Sequence, residues 1–104
     1  MLFNRRIMRF ETGQTTVGTA GTAVQLNNSG SLMHEVKVKA LAGNSGLVYL
    51  GISTVSATTG YELGANQELT ISFSPLGGRV SASHLWVDAA TNNDKISWYM
   101  VLSG

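Results

Sequence analysis

The chain contains no cysteine, and charged side chains are scarce. Without cysteine it can form neither a disulfide nor a zinc site with thiolate ligands. Lysine, arginine, aspartate and glutamate together make up only 12% of the residues, about half the usual share, and the formal net charge is +1. So small a net charge opposes self-association only weakly. We therefore expect a largely neutral, polar surface that is occupied by partners in an assembly.

Long apolar runs are missing as well. No stretch reaches the roughly 18 consecutive apolar residues of a membrane helix, so we expect no membrane partner. The basic N-terminal residues are not followed by the apolar segment of a secretory signal, so we expect no cleaved leader. With 104 residues the chain is large enough for one domain with its own apolar core.

The N-terminal segment differs in charge from the rest of the chain. Residues 1–10 carry three arginines and no acid, whereas residues 11–104 carry four basic and six acidic side chains, a balance of −2. We divide the chain into a basic arm, residues 1–12, and a single domain, residues 13–104. The arm is either a frayed terminus or an extension that becomes ordered on a neighbouring subunit. In the second case its contact residues are Phe3, Arg5, Arg6, Ile7, Arg9 and Phe10.

The rest of the sequence has the pattern of an all-β protein. Short segments of alternating apolar and polar residues are separated by turns rich in glycine, asparagine and serine. We predict a small antiparallel β-sandwich or barrel of jelly-roll or Greek-key type, with about seven or eight short strands. Val36 and Val38 are predicted core residues. Leu69, Ile71 and Phe73 are predicted to face the same core.

The last twenty residues predict a hairpin of two strands, Leu85–Asp88 and Lys95–Leu102. The second strand is apolar on both faces, and residues alternate between the faces of a strand. We assign Ile96, Trp98 and Met100 to the interior, with Trp86 and Trp98 packed across the hairpin. Tyr99 and Val101 then form an outward surface for a partner. We expect Asp88 to accept hydrogen bonds from backbone or to pair with Lys95.

No group of residues predicts catalysis, a cofactor or a metal. His84 and Asp88 share a strand face about 13 Å apart, too far for one metal ion. No Gly-x-Ser-x-Gly motif is present, and nothing is placed to orient an imidazole. Aromatic side chains could stack on bases, but a nucleic-acid groove also needs basic residues, and the domain is slightly acidic. We therefore expect neither an enzyme nor a nucleic-acid partner.

The second half of the chain resembles small virion proteins of tailed bacteriophages. The resemblance lies in four segments that follow one another in the order typical of that family: the run from Gly46 to Leu63, which contains Tyr49-Leu50-Gly51 and ends in Gly60-Tyr61-Glu62-Leu63; Asn66-Gln67-Glu68; Leu85-Trp86-Val87-Asp88; and Asp94 to Tyr99. It covers about 55 of the 104 residues. Members of the family are virion components, commonly head decoration proteins.

The resemblance implies a structural protein that decorates and stabilises a capsid. It would be made in the host cytoplasm and bind between subunits of the major capsid protein, as a homo-oligomer and in particular a homotrimer. The alternative is a carbohydrate- or receptor-binding module on a phage tail or fibre, with Tyr61 and Trp86 against the sugar. Both alternatives assign the protein to the virion.

Overall fold

The computed structural model describes residues 8–73 and 80–103, and these residues form strands with one short 3₁₀ helix, Ala82–His84. The strands are β1 (Met8–Val17), β2 (Val24–Gln25), β3 (Leu32–Ala40), β4 (Val48–Gly51), β5 (Tyr61–Leu63), β6 (Glu68–Ser72), β7 (Val80–Ser81), β8 (Trp86–Ala89) and β9 (Asp94–Ser103).

The strands form two antiparallel sheets. The first sheet has the order β1-β9-β3-β6, and β7 also pairs with β3. The second sheet has the order β2-β8-β4-β5. The predicted small all-β sandwich is therefore confirmed, with nine strands in the described part of the chain, two of which have only two residues.

The core lies between the sheets and receives side chains from both. Val36 and Val38 are 0% and 1% exposed, which confirms their predicted place. Ile96 and Met100 are fully buried, also as predicted, while Trp98 is half-buried at the margin of the core. The second sheet contributes the buried residues Val48, Leu50, Leu63, Val87 and Ala89. The half-buried Leu69, Ile71 and Phe73 pack against this core from the β6 side.

The predicted terminal hairpin is wrong. Strand β8 belongs to the second sheet and β9 to the first, so the four residues between them cross from one layer to the other. Strand β9 is hydrogen-bonded to β1 on one edge and to β3 on the other. Because a strand has only two edges, β8 cannot pair with it. Trp86 and Trp98 consequently lie in different sheets and do not pack across a hairpin.

Two buried aspartates hold the ends of this crossover. Asp88 Oδ1 accepts hydrogen bonds from the backbone N–H groups of Gly21 and Ala89, at 2.9 and 2.8 Å, which confirms the expectation of backbone donors. The Asp94 carboxylate accepts from the backbone of Ser45 and Gly46, at 3.0 and 2.9 Å. Both carboxylates are 3–5% exposed, so these bonds compensate for their lost hydration.

Strand β1 includes part of the predicted arm. It starts at Met8 and pairs with β9 along ten residues, from Met8 opposite Ser103 to Val17 opposite Asp94. Residues 8–12 of the predicted arm thus lie in this strand. The remainder of the arm, residues 1–7, lies outside the described residues.

A glycine in β1 makes room for the indole of Trp98. Gly13 lies opposite Trp98 in the register, and a Cβ at position 13 would be 2.6 Å from the Cζ2 atom of the indole. The Trp98 Nε1–H donates to Thr15 Oγ1 at 3.0 Å, and that hydroxyl donates to the Leu26 carbonyl at 2.9 Å. The indole therefore links β9 to β1 and, through Thr15, to the end of β2.

We expect Gly13→Ala to lower the free energy of unfolding by about 1–3 kcal/mol, because the added methyl group displaces the indole from its hydrogen bond. Urea titration followed by tryptophan fluorescence measures the change. The control is Gly43→Ala, where no atom lies within 4 Å of the added carbon. The control should change stability by no more than about 0.5–1 kcal/mol. Equal stability of the two variants would contradict the close fit at Gly13.

Candidate interaction surface

The solvent side of the first sheet forms one continuous surface, which we call the outer face. Alternation along each strand and the pairing registers define its members. One row across the sheet contains Phe10, Val101, Glu35 and Ser72; the next contains Thr12, Tyr99, Lys37 and Thr70; the third contains Gln14, Ser97, Lys39 and Glu68.

An apolar patch lies at the β1 side of the outer face. It consists of Met8, Phe10, Tyr99 and Val101. Phe10 is 64% exposed and Met8 is 48% exposed. The rings of Phe10 and Tyr99 lie 5.4 Å apart between centroids at an angle of 33°, so the two aromatic side chains form one apolar surface.

Polar contacts border the patch on the β3 side. The Tyr99 hydroxyl donates to Glu35 Oε2 at 2.6 Å, and Lys37 Nζ lies 3.1 Å from Glu68 Oε1. The hydrogen bond to the Glu35 carboxylate raises the pKa of Tyr99 above 10.0, and burial acts in the same direction. The hydrogen bond to Glu35 holds the Tyr99 ring in position beside Phe10.

A shallow depression of about 460 Å³ lies beside the patch. Its lining includes Phe10, Gln14, Lys39, Glu68 and Tyr99. Charges of both signs are present, so the depression has no strong preference for an anion or a cation. Its aromatic wall and mixed polar rim resemble the composition of protein interfaces.

The structure brings together three of the residues predicted for an interface and separates a fourth from them. Phe10, Tyr99 and Val101 are neighbours on the outer face. Arg9 points to the opposite side of β1, where its Nε donates to Glu11 Oε2 at 2.8 Å. Four further predicted residues lie outside the described part of the chain, namely Phe3, Arg5, Arg6 and Ile7.

Other residues of the outer face were missed in the sequence. Met8 and Thr12 were not assigned to it, although the period-two alternation from Met8 to Thr16 would have indicated both. That pattern was interpreted as part of the arm because the arginines dominate the segment.

Arg9 and Glu11 belong to a polar cluster on the inner side of β1. The Arg9 Nη2 group donates to Ser31 Oγ at 3.0 Å and to Ser29 Oγ at 3.3 Å, while Asn27 Nδ2 donates to Glu11 Oε1 at 3.2 Å. The hydrogen bond from Arg9, followed by that from Asn27, lowers the pKa of Glu11 below 4.5. The cluster fastens the β2–β3 connection to β1.

Within the part of the chain that the structure describes, neither histidine belongs to a group of side chains that could bind a metal ion. Among the described residues no three His, Cys, Asp or Glu side chains are grouped so that they could hold a metal ion. His34 is buried and its Nε2 lies 2.9 Å from Ser103 Oγ, while His84 ends the 3₁₀ helix. Within residues 8–73 and 80–103, no helix has the length and apolarity to cross a membrane.

The aromatic residues considered for sugar binding lie on the second sheet. Tyr61 is 58% exposed in β5 at the sheet edge, and Trp86 is half-buried in β8, opposite Gln25 and Gly51. They are therefore separate from the outer face of the first sheet.

Comparison with known proteins shows the fold and no family. No protein-family model matches the chain, and no curated protein sequence does. A solved structure of the IMPa metallopeptidase from Pseudomonas aeruginosa is 12% identical with a TM-score of 0.51, over 92% of this chain and 12% of that one. The same metallopeptidase in complex with T-antigen gives 12% identity and a TM-score of 0.52, over 95% and 13%. The chain thus spans about an eighth of the metallopeptidase.

A phage capsid chain shares the fold over almost its whole length. In the acidic stable capsid structure of Helicobacter pylori bacteriophage KHP30, the matching chain is 13% identical with a TM-score of 0.50. The match covers 94% of the present chain and 88% of that chain. The same sandwich therefore occurs both as a small part of a large enzyme and as nearly all of a capsid chain.

We expect Glu35→Gln to lower the pKa of Tyr99 toward 10.0, because the carboxylate no longer disfavours the phenolate. The raised pKa contributes stability that is present below pH 10.0 and is lost as the pH rises through the folded-state value. Ultraviolet difference absorbance against Tyr99→Phe isolates this phenol. Glu62→Gln, on the second sheet, should leave its titration unchanged. A titration of Tyr99 that is the same with and without Glu35 would show that the hydrogen bond is absent.

We expect Glu11→Gln to reduce the loss of stability in acid. The lowered pKa of Glu11 contributes stability above pH 4.5, and this contribution disappears as the pH falls through the folded-state value. Urea unfolding at neutral and at acidic pH should therefore show a smaller difference for the variant than for the unmodified protein. Glu62→Gln serves again as the control. A pH dependence identical to that of the unmodified protein would contradict the Arg9–Glu11–Asn27 cluster.

Proposed function

We propose that the protein is a structural, non-catalytic component of a phage particle, which binds the outside of the capsid through the outer face of its first sheet. The exposed apolar patch is the observation that carries this proposal. Phe10 and Met8 expose 64% and 48% of their surface beside Tyr99 and Val101. Contiguous apolar side chains in this arrangement on a folded domain are typical of a contact site for another protein.

The composition and the fold support the same proposal. A net charge of +1 gives weak electrostatic protection against association, which suits a protein that remains in an assembly. The capsid chain of phage KHP30 has this fold over 88% of its length, so a sandwich of this size can be a complete particle component. Fold alone does not fix function. The outer face is therefore the stronger argument.

In the proposed arrangement the outer face binds between major capsid subunits. Phe10, Tyr99 and Val101 supply the apolar contact, and the Lys37–Glu68 pair lies at its rim. Arg5 and Arg6 of the arm, residues 1–12, contact acidic surface of the neighbouring subunit. The protein is made in the host cytoplasm. Three copies then surround a three-fold position of the capsid lattice. Several weak contacts in such a group together give strong attachment.

The proposal predicts that the purified protein raises the temperature at which capsids lacking it rupture. We expect Phe10→Ser to bind such capsids at least about tenfold more weakly, because it removes a central aromatic contact. Fluorescence-monitored heating and co-sedimentation measure the two effects, and electron microscopy of the decorated particles locates the copies.

Tyr61→Ser is the matched control, because it removes a similarly exposed aromatic side chain, 58% against 64%, from the second sheet. It should retain capsid binding. Failure of the unmodified protein to bind capsids, or equal loss in both variants, would contradict the proposal. Glycan binding that is lost in Tyr61→Ser alone would instead support the tail-module alternative.

A further inference from the structure

The first sheet ends in a long strand that has a neighbour on one side only. Within the described residues, β1 is hydrogen-bonded to β9 and is the terminal strand of the sheet. It has ten residues, whereas the terminal strands β2, β5 and β6 have two, three and five. Along a free edge of this kind, unpaired N–H and C=O groups point outward at every second residue.

Strand β1 lacks several of the features that prevent edge pairing in native proteins. It contains no proline and no lysine, and its register with β9 runs without a bulge from Met8 to Val17. Its two charged residues, Arg9 and Glu11, are paired with each other at 2.8 Å on the inner side of the sheet. Proline, lysine and bulges commonly protect native edge strands. Inward-pointing charges also do so, but in β1 the two inward charges neutralise each other.

Residues 25–28 lie close to β1. Together with Glu11, Gln14 and Thr15 of β1 they line a crevice of about 450 Å³. This segment touches β1 through side chains, as in the bond from Thr15 Oγ1 to the Leu26 carbonyl. It does not add a strand to the sheet.

We infer that the free edge of β1 pairs with β1 of a second copy of this chain, antiparallel and about a two-fold axis at Thr12. Phe10 then lies opposite Gln14 of the second copy, and Met8 lies opposite Thr16. The two Thr12 side chains face each other, a favourable cross-strand pair. All nine residues from Met8 to Thr16 take part, and each of them is exposed or half-buried in the single chain.

Neighbouring registers are less favourable. An axis at Glu11 places two carboxylates directly opposite each other, which is destabilising. An axis at Gly13 needs Val17, which is 0% exposed and whose carbonyl already accepts a hydrogen bond from Asn93 N–H at 2.7 Å. The charge pattern and the burial of Val17 therefore select Thr12.

A second copy is the inferred partner because it presents an unpaired edge of the same length. In the Thr12 register Arg9 lies opposite Thr15 and Glu11 opposite Gly13, so no like charges face each other.

Edge pairing joins two first sheets into one and brings the apolar patches of both copies onto a continuous surface. On a capsid, this two-fold contact would connect neighbouring three-fold groups; that part rests on the proposed function. The contact between two free chains does not.

The absence of cysteine allows a direct test by disulfide formation. In Thr12→Cys the two Cα atoms would lie about 4.5–5.5 Å apart, within the range of a disulfide. In Thr16→Cys, the matched control on the same face of the same strand, the two cysteines would be eight residues apart, or roughly 27 Å. Mild oxidation should convert most of the Thr12→Cys protein to a covalent dimer of twice 11.0 kDa and leave Thr16→Cys monomeric.

Circular dichroism of both reduced variants checks that the exposed substitutions leave the fold intact. Rapid cross-linking of Thr12→Cys alone supports the inference. No cross-linking of either variant, or equal rates for both, overturns it. The cross-linking measurement uses no capsid, so it tests the edge contact independently of the proposed function. If the protein binds capsids but Thr12→Cys does not cross-link, the edge contact is overturned and the proposed function stands.

Discussion

The position of β9 between β1 and β3 is the constraint on which the rest of the structure depends. This ten-residue strand is paired along its whole length with β1 and along most of it with β3. Its inward residues Ile96, Met100 and Leu102 are fully buried, so one strand supplies both the centre of the first sheet and a large part of the core. Its outward residues then form the middle of the outer face. The core and the candidate contact surface are thus two sides of one strand.

Keeping β9 in that position requires a change of sheet immediately before it. Asp88 and Asp94 stand at the two ends of the crossover, and each binds backbone N–H groups of a different connection. A carboxylate is suited to this task because it accepts several strong hydrogen bonds at once. The acidic residues that a search for catalysis would single out are thus structural ones. Their burial is compensated by the loops that they fasten.

The two sides of the first sheet differ in how completely their side chains are buried or hydrogen-bonded. On the inner side even the polar residues of β1 are bonded, through the cluster of Arg9, Glu11 and Asn27. On the outer side Met8 and Phe10 remain exposed. The free edge of β1 adjoins the same apolar patch. A contact through the outer face and a contact through the edge would therefore use neighbouring but distinct surfaces.

The sequence by itself determined the all-β class, the core positions Val36 and Val38, and the outward placement of Tyr99 and Val101, because period-two alternation records which face of a strand is buried. Pairing depends on contacts between distant residues, which local alternation does not record. Only the tertiary structure therefore decided that β8 and β9 lie in different sheets and that β1 extends from Met8 to Val17. The same long-range pairing brought Phe10 beside Tyr99 and directed Arg9 to the opposite side, where its hydrogen bonds are internal.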